Sequence, residues 1–327
     1  MQPRLFSGMQ PTGDFHIGNY LGAVENWARL QEDHDAIYCV VDLHALTVEH
    51  PAEEMAERTL ALATMILAAG VDPEKATLFV QSQVPEHSEL CWVLNTVTPM
   101  GELHRMTQFK EKSDQHQRNI NVGLFGYPVL QAADILLYKA AVVPVGEDQV
   151  QHIELSRDIA RRFNNRFGFT FPEPGAKLTE ARRIIGTDGA RKMSKSLGNH
   201  LGVEETADER WKKLAQAVTD PARVRRDDPG EPTKCNVYAW HGFFSSDETL
   251  GWVEEGCRTA GIGCFDCKKR LAEHMEETLG PIRERAAELK ANPGRVREIL
   301  AAGAERCRGI AQETMAEVRE RLGVLTA

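Results

Sequence analysis

The chain has 327 residues, 42% of them apolar and 27% charged, which supplies a substantial core, excludes a disordered protein and suits two domains. Lysine and arginine total 39 against 48 acidic residues, and this net charge of −9 argues against DNA as a partner and leaves RNA contacts to local basic patches. No apolar run reaches the ~18 residues of a membrane helix and no secretory pattern opens the chain, so a cytoplasmic protein without membrane contact is expected, its seven cysteines reduced or metal-bound.

In chain order, Arg4-Leu5-Phe6 predicts a buried strand that breaks into Ser7-Gly8-Met9-Gln10-Pro11-Thr12-Gly13 before an amphipathic run from about His16 to Leu30. Strand, tight turn and helix make a candidate phosphate site, because the amides that open a helix lack internal partners. Gly8 and Gly13 have Walker A separation, but Asp14 and Phe15 stand where that loop requires Lys and Ser or Thr. Ala36 to Val41 is a second strand run, closed by Asp42 and followed by His44; a helix opens at Pro51 and stops at Gly70. A third run covers Ala76 to Gln81, with a helix from near Glu86. This alternation predicts an α/β fold: a Rossmann-like parallel sheet covered by helices on both faces. Ligands would collect at the carboxyl ends of its strands, near Gly8 to Gly13, Asp42 to His44 and Gln81 to Pro85. His44 reads equally as a substrate contact or a satisfied structural histidine. The polar stretch Glu102 to Gln117 reads as exposed or intersubunit, with Lys110 and Lys112 either near phosphates or on a solvated helix face.

Tyr127-Pro128-Val129-Leu130-Gln131-Ala132-Ala133-Asp134 places an acid in an apolar helical run, where Asp134 must reach solvent or meet a donor such as a nearby Lys or Arg, because a lone buried carboxylate costs several kcal/mol. Val142 to Val145 predicts another strand, ending in Gly146-Glu147-Asp148-Gln149 at the mouth of a helix to about Phe167. Phe171 to Gly175 and Gly186 to Gly189 bracket a loop-rich stretch that leads into Lys192-Met193-Ser194-Lys195-Ser196, whose lysines and glycine neighbours suggest a loop that closes on a ligand. Beyond it the pattern turns helical, which predicts one domain over 1–200 and a helical domain over 201–327. Arg223-Val224-Arg225-Arg226 is either an RNA-facing turn or an ion-pair network with Asp227 and Asp228. Cys235, Cys257, Cys264 and Cys267 read C-x21-C-x6-C-x2-C, a metal-ligand pattern in which spacing alone does not separate Zn²⁺ from an iron–sulfur cluster. Helices from about Pro281 to Leu322 read as packing elements.

His16-Ile17-Gly18-Asn19 resembles the first signature of class I aminoacyl-tRNA synthetases, with Asn in its last place, and Lys192 to Ser196 matches the second without substitution. Gln10 to Gly13, Tyr127 to Leu137 and Val145 to Gln149 extend the resemblance to the tryptophan-specific members, over nearly the whole chain. It implies activation of L-tryptophan by ATP with Mg²⁺ in a catalytic domain over 1–200, followed by transfer to tRNA(Trp), in a homodimer whose contacts lie on a segment inserted at about 85–140 and whose C-terminal helices read the anticodon. By this resemblance His16, Asn19, Lys192 and Lys195 stabilise the reacting phosphates. Gln10, Pro11, Thr12, Gly18, Gly146, Glu147, Asp148, Ile185, Met193, Ser194 and Ser196 hold the rest of ATP. Asp134 accepts the indole N–H, with Tyr127, Gln131, Gln149, His44, Phe6 and Gly8 around the amino acid. Gln131 stands where many tryptophan enzymes carry Met. The four cysteines are similar to those of a bacterial subgroup with a [4Fe–4S] cluster, Zn²⁺ being the alternative. Rival readings are tyrosine specificity on the same scaffold, a nonenzymatic RNA-binding or redox-sensing paralogue, and a small-molecule adenylyltransferase.

Overall fold

In the computed structural model, which describes residues 2–107, 121–178 and 184–325 (Ser196 by its backbone alone), five parallel strands form one sheet in the order β3-β2-β1-β4-β5. These are β1 (Arg4–Met9), β2 (Asp35–Val40), β3 (Ala76–Val80), β4 (Val142–Val145) and β5 (Gly175–Leu178). The first three strands are apolar on both faces because both faces are covered. Alternate side chains divide between two buried clusters. Leu5, Tyr38, Val40, Leu78 and Val80 face α1 (Glu25–Leu30) and α2 (Met55–Ala68). Phe6, Ile37, Cys39 and Phe79 face α3 (Glu86–Asn95), α4 (Val122–Leu137) and α5 (Val150–Phe167). Lys110 and Lys112 lie outside the described residues.

Two local features depart from expectation. The helix after the glycine turn is broken into Ile17–Asn19, a π-helical turn over Tyr20–Val24, and α1. The stretch read as loop before the lysine motif contains β5, whose four residues are all exposed; it is held by pairing to β4, so its sequence carries no burial signal.

After residue 200 the chain forms α6 (Ala207–Gln216), α7 (Asn236–Phe244), α8 (Asp247–Arg258), α9 (Cys264–Ala291) and α10 (Pro293–Leu322). Pro281 lies inside α9 and does not start a helix. Leu214, Trp240, Leu271, Met275 and Ile282 share a buried cluster with Leu5 and Ile66, so these helices extend the core of the sheet. α10 crosses the β3 edge: Val296 and Leu300 belong to one cluster, Ala304 and Cys307 to the other. At the crossing, Gly303 lies so close that an added Cβ would stand 2.1 Å from the Leu78 carbonyl oxygen. Gly303→Ala is expected to lose about 1–3 kcal/mol of stability by overpacking against rigid backbone. Chemical denaturation of the variant beside the parent measures it.

Candidate active site

The chain runs β1, β2, β3 toward one edge and then returns to place β4 on the other side of β1, so the sheet changes winding direction between β1 and β4. A crevice at the carboxyl ends of strands flanking such a point is where α/β sheets bind ligands. A cavity of about 350 Å³ opens there. Phe6 and Gly8 of β1, His44 after β2, Tyr127, Gln131 and Asp134 of α4, and Gln149 after β4 all line it. All seven residues expected around an amino acid therefore surround one space, joined by Gln10 and Gly146 from the expected nucleotide set. Asn26 and Trp27 also line it and carry no motif signal. Trp27 stacks on Tyr38 with ring centroids 4.6 Å apart, which fixes that wall. Opposite, the Tyr127 hydroxyl lies 2.9 Å from His152 Nε2.

Asp134 is 2% exposed and has no Lys or Arg partner among the described residues. His44 Nε2 lies 2.8 Å from Oδ2; Gln81 Nε2 and His87 Nδ1 each lie 2.7 Å from Oδ1. Burial opposes ionisation, but the hydrogen bonds from His44 and His87 outweigh it and hold the carboxyl below its ordinary range. His44 thus both lines the cavity and is satisfied by Asp134. Gln81 and His87 were missed, although Gln81 closes the third strand run, at the edge where ligands collect.

The two signature segments interlock. Ile17 N–H donates to the Leu201 carbonyl at 3.0 Å, His16 pairs with Gly202, and Lys195 Nζ lies 2.6 Å from Asp14 Oδ2. Ile184 and Met193 share the buried cluster of Phe15 and Ile17. The first-turn amides are already occupied: Gly18 N–H donates to His16 Nδ1 and Asn19 N–H to the His16 carbonyl. The expected anion site on bare helix amides is therefore corrected, and side chains remain as the donors. With Nδ1 accepting, neutral His16 carries its proton on Nε2; Asn19 Oδ1 accepts from His16 N–H at 3.0 Å, leaving its NH₂ to donate outward.

Burial, then the neighbouring His200 and Lys192, lower the His16 pKa from 6.5 to about 4. The unfolded chain thus binds a proton at lower acidity than the folded one. Stability is expected to fall as pH drops from about 6.5 toward 4, and His16→Gln to flatten part of that slope in thermal melts.

Asn199, 2% exposed, organises the lysine segment: its Oδ1 accepts from Ser194 N–H at 2.8 Å and its Nδ2 donates to Asp188 at 3.0 Å. Ile185 pairs with Lys192, joining the two ends of the loop. Pro11 is buried and Thr12 exposed beside the glycine turn; Glu147 and Asp148 are exposed in the turn after β4, and these four do not line the cavity.

Cys235, Cys257, Cys264 and Cys267 are brought together, all lining one small cavity as free thiols. Among the described residues no group of His, Cys, Asp or Glu stands arranged to hold a metal ion. Arg223 Nη1 lies 3.8 Å from Cys257 Sγ, while burial raises the Cys257 and Cys267 thiols, the latter to about 12. Arg223, read from sequence as facing RNA or the aspartates, instead turns inward and donates to the Arg226 and Ile262 carbonyls. Lys268 donates to the Ala215 and Ala217 carbonyls. No described helix is long and apolar enough to cross a membrane.

Residues 1–280 match the family of class I tRNA synthetases for W and Y, and the chain belongs to it. Within that family, the tryptophan–tRNA ligase of Deinococcus radiodurans is 55% identical over 98% of this chain and 99% of the relative. That of Thermotoga maritima is 46% identical over 98% and 99%. The crystal structure of tryptophanyl-tRNA synthetase from Campylobacter jejuni complexed with ADP and tryptophan matches at TM-score 0.89, with 36% identity over 98% of this chain and all of that one.

Proposed function

We propose that this chain is a tryptophan–tRNA ligase that forms tryptophanyl-adenylate from L-tryptophan and MgATP and passes the aminoacyl group to tRNA(Trp). One observation carries the reading: the chain around the two signatures comes together, Asp14 meeting Lys195 and His16 pairing with Gly202, while Gly8 and Gln10 of the turn leading into the first signature line the cavity of a buried, ionised Asp134. An indole N–H satisfies such an acceptor, and phenylalanine would leave it short of a partner. A carboxylate substrate needs no enzymic base to attack the α-phosphate. Catalysis is then placement plus neutralisation of charge on the leaving pyrophosphate, by Lys192 and Lys195, with His16 Nε2 and Asn19 Nδ2 as donors. Glu147 and Asp148 supply acceptors for ribose hydroxyls. ATP–pyrophosphate exchange that depends on tryptophan and not on tyrosine is the expected result; the reverse preference would overturn the specificity.

The same reading assigns residues 1–200 to catalysis and 201–327 to the anticodon side. Exposed Trp92, Met100 and Val122 support a homodimer face on the inserted segment. For the four cysteines it favours a [4Fe–4S] cluster over Zn²⁺. Cys235 before α7, Cys257 in α8, and Cys264 and Cys267 in the first turn of α9 would hold it. Once bound, such a group cross-links these helices and contributes folding energy. Protein purified without oxygen is expected to be brown, absorbing at about 400 nm. A colourless protein carrying zinc would assign the site to the other metal.

A further inference from the structure

Asp134 has more partners than its proposed task requires, and their count bears on how it selects. A carboxylate offers about four acceptor positions, two on each oxygen. Gln81 and His87 fill Oδ1, and His44 takes one position on Oδ2. A single position therefore remains, on the oxygen beside His44, and both residues line the cavity.

The chain of donors continues behind the pocket. Because an ionised carboxylate only accepts, His87 Nδ1 donates to it; in the neutral ring Nε2 then accepts from the Tyr138 hydroxyl at 2.7 Å. His87 and Tyr138 are each fully buried, and neither touches the cavity. The donors point the same way, toward Asp134, and hydrogen bonds aligned in this manner polarise one another. Gln81 is fixed as well, its Oε1 accepting from Leu43 N–H at 3.1 Å.

We propose that His87, aligned by the Tyr138 hydroxyl, is a positioning residue for substrate selection: it holds Oδ1 of Asp134 and leaves the carboxylate one acceptor position, which a single ligand N–H completes. This deepens the tryptophan reading above and rests on it. His87 never meets the substrate. Its removal frees a second position on Oδ1, which water or a rotated carboxylate can use, so the requirement for the ligand's N–H relaxes.

The test compares tryptophan with its isostere in which sulfur replaces the indole N–H, by kcat/KM in ATP–pyrophosphate exchange. In the parent the ratio should favour tryptophan strongly. His87→Leu and Tyr138→Phe are expected to lower that ratio about tenfold and a few-fold respectively, the value of one hydrogen bond and of its polarisation. His87→Gln, which keeps a donor for Asp134, should restore part of it. A structural role alone predicts that both substrates weaken by the same factor, and equal weakening in His87→Leu and Tyr138→Phe would overturn the proposal. Should His87→Leu fail to fold, Tyr138→Phe carries the test, since it removes one oxygen and keeps the ring. Asp134→Ala, which removes both acceptor oxygens, separates the two levels. If it leaves the parent ratio unchanged, Asp134 does not read the indole and both readings fall. If it collapses the ratio while the His87 and Tyr138 variants do not, the positioning role alone falls.

Discussion

Asp134→Ala is expected to lower kcat/KM for tryptophan about 10²–10³-fold, the usual cost of removing one partner of a buried charged hydrogen bond. The loss should appear mainly in KM, because the indole lies away from the reacting phosphate and the interaction is made before the transition state. The variant also strands the donors of His44, Gln81 and His87, now facing a void. A buried donor left without its acceptor costs about 1–3 kcal/mol, so a lowered melting temperature should accompany the kinetic change. Steady-state exchange at temperatures well below the melt, with circular dichroism as the control, separates the two effects. Unchanged tryptophan affinity in a folded variant would remove Asp134 from the recognition site.

Lys195→Ala should behave in the opposite manner, with kcat for adenylate formation reduced about 10²–10³-fold and the tryptophan KM little moved. The charge it answers grows only as the bond to pyrophosphate breaks. Here Lys195 Nζ is paired with Asp14, both side chains more than half exposed, an arrangement worth little in water and readily exchanged for phosphate oxygens. Single-turnover adenylate formation under saturating ATP is the direct measurement. A variant that loses ATP affinity but retains its rate would make Lys195 a binding group only.

Much of the architecture is legible in the residues because the physics is local. Leu5-Phe6, Ala36 to Val40 and Ala76 to Val80 are apolar on alternate and intervening positions alike, as strands buried on two faces must be. Gly175 to Leu178 lacks that signature because all four residues face solvent, and only the ladder to β4 makes them a strand. The cavity is legible through the resemblance of two short signatures and of the Tyr127 to Leu137 helix. Its supports are not. Gln81 and His87 flank a proline in a polar stretch and look solvated, while Asn199 follows a glycine and looks like turn chemistry; each acts through a partner distant in sequence. The same blindness to long-range partners left Arg223 readable as an RNA contact or a partner of the neighbouring aspartates, when it donates to the Ile262 carbonyl inside the fold.

The crossing of α10 over β3 has a further meaning. An outer strand offers an unsatisfied row of amides and carbonyls to any neighbouring chain, and proteins need some shield against such recruitment. At this margin the shield is the last long helix, pressed onto the ribbon at Gly303, whereas at the opposite margin β5 is only four residues long. A version shortened before Pro293 would thus be more than an enzyme missing an appendage: it would carry a bare, adhesive border beside Leu78, and self-association would be its characteristic fault.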